Sequence, residues 1–510
     1  MRRIGIDVGG TNTDAVLVTE AGVLQAIKTP TTEDVTTGVL EALKQLIAKS
    51  GNGLGRVDAV MLGTTHFTNA VVQRRDLIKT AAVRIGLPAS ASLPPFVDWP
   101  RDLAALVDGG VYMVEGGHEY DGRPLVPFDR AAMRAVAERI GESGVQAAGI
   151  ASVFSPLNAV CEDEAAEILR EVCPEVAITR SHALGRIGLL ERENATLLNA
   201  CLSQLARQTT AAFREAMRES GLETPLFLTQ NDGTVMRAEF AEAFPVYSFA
   251  SGPTNSMRGA AYLTGLDEAM VTDVGGTTTD VGHLRRGFPR EANSTVEIGG
   301  VRTLFRMPDL LSIGLGGGTF VEREPLKIGP RSAGYRLPEL ARVFGGEDLT
   351  MSDLAVAAGL VEIGERAKVA ELEAGFVSKA IAQAHAMLAE AVDRMKVDAT
   401  PVPLIAVGGG AFLVPDEMAG ISEVVRVEHQ AVANAVGAAI AQVSGEIDQI
   451  FSDLSRDHAI DQACDLAKDR AIKAGADAAS LSTVEVEDLP IAYLPGNSLR
   501  VRVRVVGDIA

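Results

Sequence analysis

The first thirty residues place apolar side chains at alternate positions in short bursts. Ile4, Ile6 and Val8 form one burst, and residues 15–18 and 23–27 form two more, with Glu20-Ala21-Gly22 as a turn between them. A period of two predicts strands, and the glycine-containing breaks predict hairpins. The period then lengthens. Val39, Leu40, Leu43 and Ile47 share one helical face, with Asp34 as the expected N-cap. Residues 57–62 are strand-like again and run into Gly63-Thr64-Thr65-His66.

Beyond this unit, residues 86–130 are rich in Gly, Pro and Asp and read as irregular. Helical patterns follow at 129–142 and 162–172, with a strand at 148–154 between them. A proline-free helical run at 188–220 is expected to bridge two lobes. Residues 225–229 are a strand, and Gln230-Asn231-Asp232-Gly233 is a turn signal. A small-residue helix at 256–263 precedes a strand at 270–274, and a strand at 404–407 precedes an alanine-rich helix at 431–440. Gly437 inside that helix suggests close packing. The last segment reads as a charged helix at about 447–474 and a hairpin through residues 491–493, Pro495-Gly496-Asn497 and 499–506. The expected units are 1–185, 186–445 and 446–510: two α/β lobes and a small C-terminal α+β tail.

One phrase occurs twice. Asp7-Val8-Gly9-Gly10-Thr11-Asn12-Thr13-Asp14 returns as Asp273-Val274-Gly275-Gly276-Thr277-Thr278-Thr279-Asp280, each time after a strand-like run. Turn chemistry alone does not ask for a repeat of this length. Glycines let backbone N–H groups approach an anion, threonine hydroxyls add donors, and the leading aspartate can hold a metal ion through water. Gly9, Gly10, Thr11, Asn12 and Thr13 are the expected phosphate contacts of one hairpin, and Gly275, Gly276, Thr277 and Thr278 of the other. Asp7 and Asp273 are the magnesium candidates. Asp14 and Asp280 are candidates for orienting hydroxyls or the attacking group. Strand-end and turn capping are the alternatives for these aspartates.

The chain has 510 residues, a net charge of −20 and 47% hydrophobic residues. The negative charge argues against nucleic-acid and anionic-membrane partners. It does not argue against ATP, which backbone N–H groups and a metal can hold. Four scattered cysteines contain no CxxC, so no disulfide framework or cysteine zinc site is expected. Asp7 interrupts the apolar run behind Met1-Arg2-Arg3, and no apolar stretch approaches the roughly 20 residues of a membrane span. A soluble cytoplasmic protein is the expectation.

The β-β-β-α-β order of the N-terminal unit is that of a ribonuclease-H-like lobe. Together with two phosphate-type turns and the late Gly408-Gly409-Gly410, it resembles the actin, sugar-kinase and heat-shock-chaperone superfamily. That resemblance implies two ribonuclease-H-like lobes around an ATP cleft, with Gly408, Gly409 and Gly410 facing the adenosine. Gly316 and Gly317, in a further glycine cluster, are expected to line the cleft. A closer resemblance, to the hydantoinase/oxoprolinase family (A-type, N-terminal half), rests on several motifs. They are Leu62-Gly63-Thr64-Thr65-His66-Phe67-Thr68-Asn69-Ala70, Gly116-Gly117-His118-Glu119-Tyr120-Asp121-Gly122, Ser251-Gly252-Pro253, the second repeat, Ser312-Ile313-Gly314-Leu315-Gly316-Gly317-Gly318 and Gly329-Pro330-Arg331-Ser332-Ala333-Gly334. Tyr335-Arg336-Leu337-Pro338-Glu339-Leu340 departs from the family pattern, and the segment after the late glycines is short.

The resemblance implies ATP-dependent ring opening of a cyclic amide, or a related carbonyl activation, with a separate B-type subunit as partner. It places His66 and His118 near the substrate or a second metal; Thr64, Thr65 and Asn69 are polar groups after a strand, where a substrate cleft would need donors, with turn capping as the alternative. It also makes His118 a candidate ligand for zinc or another transition metal. A small-molecule kinase of the sugar-kinase type and an ATP-switched binding or activator protein are the competing readings.

Overall fold

The computed structural model describes residues 1–31, 35–185, 187–292, 296–303, 305, 307–492 and 496–510. The expected cap Asp34 and the turn residues Tyr493 and Pro495 lie outside them. The fold is α/β and two-lobed. A nine-stranded sheet carries the first repeat on the strands Arg2–Val8 and Asn12–Thr19. A six-stranded sheet carries the second on Ala269–Val274 and Thr279–Arg285. A four-stranded parallel sheet, inserted after the helix His66–Gln73, is built from Asp108–Glu115, Thr80–Leu87, Ala147–Ser152 and Ala177–Arg180 in that order.

The insertion is more regular than its composition suggested. Between residues 86 and 130 lie the helix Arg101–Val107 and the strand Asp108–Glu115. The strand was hidden by its glycines, which are there for packing: a Cβ on Gly109 would lie 2.7 Å from Val145 Cγ1 and 2.9 Å from Thr80 N. The expected bridging helix is two helices, Leu189–Cys201 and Ser203–Glu219, joined at Leu202. The first packs on the four-stranded sheet and the second on the helix Val35–Ser50 of the nine-stranded one.

The C-terminal segment continues the first lobe. Residues 447–451, expected to be helical, belong to the strand Val443–Phe451, and the helix begins at Arg456. Strands Val443–Phe451, Leu499–Gly507 and Ser482–Pro490 extend the nine-stranded sheet beyond Val235–Arg237. Strand Leu499–Gly507 alternates Arg500, Arg502 and Arg504 with the buried Val501, Val503 and Val505, and Arg502 is itself buried among Glu291, Glu446 and Glu485. Ala459, Ala463, Ala467 and Ala471 form the buried stripe of the helix Arg456–Ala474, which lies over Gly445. Among the described residues, no helix is long and apolar enough to cross a membrane.

Two helices run between the lobes. Ala433–Ile440 packs on the first hairpin, with Val432, Ala435, Val436 and Ala439 against Val16 and Val18. Ser251–Thr264 packs on the second sheet, with Met257 and Ala260 against Val271 and Leu284. They cross where both lack a side chain. A Cβ on Gly437 would lie 1.8 Å from Asn255 O, and one on Gly259 would lie 1.8 Å from Ala433 O. Replacing Gly437 by Ala should therefore cost about 1–3 kcal/mol, although Ala favours an open helix by about 1 kcal/mol. Gly375, with open space at its Cβ position, is the control, and Gly375→Ala should be neutral or slightly stabilising. Urea unfolding of the two variants checks this; equal stabilities would contradict the close crossing.

Candidate functional site

The repeat in sequence is a repeat in register. Asp7 stands opposite Asp14 across the first hairpin, and Asp273 stands opposite Asp280 across the second. Both turns close alike, with Gly9 N on Asn12 O at 3.0 Å and Gly275 N on Thr278 O at 2.9 Å. The turns also meet each other. A Cβ on Gly276 would lie 2.4 Å from Thr11 Oγ1, so the two glycine-threonine loops are in contact across the lobes.

Each leading aspartate is walled by a glycine. Gly63, in register with Asp7 on the parallel strand Ala59–Thr64, leaves room for the carboxylate: a Cβ there would lie 2.3 Å from Asp7 Oδ1. Gly408 does the same for Asp273 Oδ1, also at 2.3 Å, and adopts a φ of +89° that favours glycine. The two central helices hold the acids from the other side. Asn434 Nδ2 donates to Asp7 Oδ2 at 2.9 Å and Asn255 Nδ2 to Asp7 Oδ1 at 3.3 Å. Ser256 Oγ donates to Asp273, and Ser312 Oγ to Asp280.

Asp7 and Asp14 are buried, and Asp273 and Asp280 are half-buried. Removal from water, with repulsion from Asp14 and Asp273, pushes the Asp7 carboxyl up to about 7. Asp280 is pushed up to about 6 by desolvation and by Asp273. Desolvation also raises Asp14 and Asp273, and Lys28 opposes both rises. Lys28 Nζ lies 2.6 Å from Asp14 Oδ1. Carboxyls that favour protonation in this way are short of positive charge.

The other expected residues separate into groups. Gly10 faces open space, and Thr13 is buried beneath the turn. Thr31, which the sequence did not single out, braces that turn through its Oγ on Gly9 O at 2.8 Å and its N–H on Thr11 O at 2.9 Å. Gly317 and Gly318 give their N–H groups to Gly275 O and Gly276 O at 3.0 and 2.7 Å, and a Cβ on Gly316 would strike the same loop. This cluster therefore supports the second turn from behind. Gly408 and Gly410 pack on Val274, while Gly409 is exposed and faces Lys28. Thr64 and Thr65 lead into the helix His66–Gln73, where Asn69 Nδ2 donates to Thr65 Oγ1 at 3.2 Å. Ser251 and Gly252, at the start of a central helix, face Thr64 and Thr65.

His118 is not part of this group. It follows the strand Asp108–Glu115 of the inserted sheet, its N–H bonds Val153 O at 3.1 Å, and its Nδ1 has no hydrogen-bond partner. Burial lowers its pKa, which favours the neutral ring. Among the described residues, no group of three or more His, Cys, Asp or Glu side chains is placed to hold a metal ion. Among these described residues His118 thus has no zinc-type ligand set around it. A hard cation held largely through water at Asp7 and Asp273 does not require one.

Sequence reasoning missed Lys28, Asn255, Ser256 and Asn434. A signal was present for the asparagines. Each is a polar residue in a small-residue helix, four or three positions before the crossing glycine, and an asparagine has little reason to be buried, as Asn255 is, or half-buried, as Asn434 is, without a polar partner.

Two family profiles match the chain: hydantoinase/oxoprolinase N-terminal region over residues 3–173, and hydantoinase/oxoprolinase over residues 192–367. The caprolactamase subunit alpha of Pseudomonas jessenii is 26% identical over 393 residues, covering 71% of this chain and 55% of that protein. The acetophenone carboxylase gamma subunit of Aromatoleum aromaticum is 28% identical over 391 residues, covering 70% of this chain and 53% of that protein. The chain thus spans about half the length of these curated relatives. The crystal structure of ATP-dependent caprolactamase from Pseudomonas jessenii superposes with a TM-score of 0.78 at 19% identity, covering 100% of this chain and 88% of that one, which shows a shared fold. On the profiles that match its sequence, the chain belongs to the hydantoinase/oxoprolinase family.

Proposed function

We propose that the chain is the ATP-using subunit of a hydrolase that phosphorylates the carbonyl oxygen of a cyclic amide, or of a related carbonyl compound, and so prepares it for attack by water. One observation carries the reading: two register-matched hairpins, each with an opposed pair of carboxylates, meet turn to turn across two lobes. The donor set fits a magnesium nucleotide. The turns offer glycine backbone and threonine hydroxyls, and the carboxyls behind them are short of positive charge. Asp7 and Asp273 would hold the metal through its waters. Bound there, the ion would neutralise charge on the transferring phosphoryl group.

The chain's own residues divide the work. The N–H groups of the two turns would position the phosphates. Because Thr11 rests on Gly276, admitting a polyphosphate requires the turns to part. The lobes differ at equivalent places beside the leading aspartates. Gly408, Gly409 and Gly410 follow the strand Val402–Val407 of the second lobe, whereas Thr64, Thr65 and His66 follow the matching register position in the first. Bare backbone suits an adenosine, and hydroxyls and an imidazole suit a small polar acceptor. The acceptor oxygen would attack the γ-phosphorus and the bond to the β-phosphate oxygen would break. Water would then open the activated amide, releasing phosphate. The relatives are named as subunits of a caprolactamase and a carboxylase, which supports a partner chain and a carbonyl substrate.

ATP hydrolysis by the purified chain with magnesium, alone and with cyclic amides, hydantoins, ketones and simple sugars, tests the reading. Stimulation by a cyclic amide is the expected outcome, in the chain alone or after addition of the co-purified partner. A phosphorylated sugar that persists would replace this reading with a kinase. Asp273→Asn should lower turnover roughly 100-fold or more while leaving the fold intact, since Ser256 can still bond the carboxamide. Full turnover in the folded variant would remove Asp273 from the site.

The acid cluster also makes a pH prediction. Between the ordinary carboxylate value and about 7, Asp7 is protonated in the folded chain and ionised in the unfolded one. Its contribution to stability therefore grows as pH falls through that window and is lost as pH rises towards 7. Asp7→Asn has no such proton to take up. The stability of wild type relative to the variant should rise by up to about 1.4 kcal/mol per pH unit between pH 7 and roughly pH 5. Urea unfolding without metal at several pH values measures it, and a pH-independent difference would exclude the raised carboxyl.

A further inference from the structure

Beside the trailing aspartates the two halves of the site diverge in charge. On the strand beyond each trailing aspartate, the residue in register with Asp14 is Lys28, and the residue in register with Asp280 is Ser312. Ser312 answers its aspartate with a neutral hydrogen bond. Lys28 answers with a full charge at 2.6 Å, and its side chain is 31% exposed while that of Asp14 is 3% exposed.

The ammonium also reaches across the cleft. The Cβ position of Gly409, in the late glycine turn of the other lobe, lies 3.9 Å from Lys28 Nζ. Lys28 acts electrostatically on Asp273 of the second hairpin as well as on Asp14 of the first. A first-lobe cation therefore stands where the acids of both lobes and the exposed glycine turn converge. A lysine head is a compact point charge on a flexible four-carbon stem, suited to exchanging one anionic partner for another. A permanent structural ion pair holds both groups in one fixed geometry, and the Lys28 side chain, 31% exposed, is not enclosed in one.

We propose that Lys28 is a catalytic residue: in the nucleotide-free chain its ammonium occupies the cation position between Asp14 and Asp273, and when a metal–nucleotide enters it turns from Asp14 to the γ-phosphoryl group. This rests on the ATP reading above and adds to it the residue that tells a triphosphate from a diphosphate. During transfer the ammonium keeps its proton and supplies only charge. The bond from the γ-phosphorus to the bridging oxygen breaks as the bond to the acceptor oxygen forms, and the electron pair leaves with the diphosphate. Lys28 lies beside the oxygens on which the charge is spread. Moving to the phosphate, it also frees Asp273 for the waters of the incoming metal.

Lys28→Met keeps the stem and removes the charge, with Lys28→Gln as the second variant if Met does not fold. Two binding measurements decide, neither of which depends on turnover. Electron paramagnetic resonance with Mn²⁺ alone should show the variant binding the ion at least tenfold more tightly than wild type, because the acids have lost their resident cation. Calorimetry with magnesium should show wild type preferring the β,γ-imido analogue of ATP over ADP, and the variant losing about tenfold of that preference with its ADP affinity unchanged. Lys28→Arg should restore part of the preference. A variant that binds Mn²⁺ no better than wild type, or that keeps the full triphosphate preference, overturns the proposal and leaves Lys28 as a surface ion pair. A wild-type chain that binds neither nucleotide overturns the ATP reading itself, a separate outcome.

Discussion

The structure depends on how closely two short helices can approach. With no side chain at Gly259 or Gly437, the backbones of Ser251–Thr264 and Ala433–Ile440 come into contact, and the lobe on each helix is carried with it. The residues just before the crossing are the ones that reach the acids: Asn255 and Asn434 to Asp7, and Ser256 to Asp273. A side chain at the crossing would push the helices apart and withdraw those donors from the hairpins. Packing in the middle of the molecule thus sets the hydrogen bonding of the site, and both are decided by two glycines.

The gathering of acids is costly, which is what makes it informative. Taking a carboxylate out of water costs several kcal/mol unless it is paired. Here desolvation outweighs the hydrogen bonds from Asn255 and Asn434 at Asp7, and Lys28 offsets the desolvation of Asp14 and Asp273 only in part. A fold that keeps four such groups around two glycine-threonine turns is less stable for it than one with neutral residues there. The arrangement makes physical sense if positive charge arrives from outside, as a metal ion, carrying an anion that the turns can cradle. Strain and unbalanced charge of this kind concentrate at functional sites.

Much of this was legible in the chain because it was written twice. The repeated phrase identified both hairpins, and the period of two placed their strands almost to the residue: 270–274 was expected, and Ala269–Val274 is found. The late glycines and the threonines after residue 63 were legible for the same reason, since each follows an apolar run. What was not legible depends on contacts between distant segments. The strand Asp108–Glu115 was masked by glycines that serve packing against Val145 and Thr80. The strand Val443–Phe451 was read as helix because its neighbour in the sheet, Leu499–Gly507, lies some fifty residues away. Lys28 was passed over because nothing local distinguishes a lysine at a strand end from a solvated one. Only the register between Asn12–Thr19 and Gly22–Pro30 sets it beside Asp14.

Duplication also explains where to look for what the two halves do differently. Matched positions that kept their chemistry, Asp7 with Asp273 and Asp14 with Asp280, serve a demand common to both lobes; on the ATP reading proposed above, that demand is to hold a cation and a polyphosphate between them. Matched positions that diverged serve demands peculiar to one side. Thr64, Thr65 and His66 against Gly408, Gly409 and Gly410 separate a face with polar side chains from a face of bare backbone. Lys28 against Ser312 puts a positive charge on the lobe with the polar side chains. Both differences fall on the first lobe, and both add chemistry there that a nucleotide-gripping half alone does not need. The second lobe is the better candidate for holding the nucleotide, and the first for presenting the group that receives its phosphate.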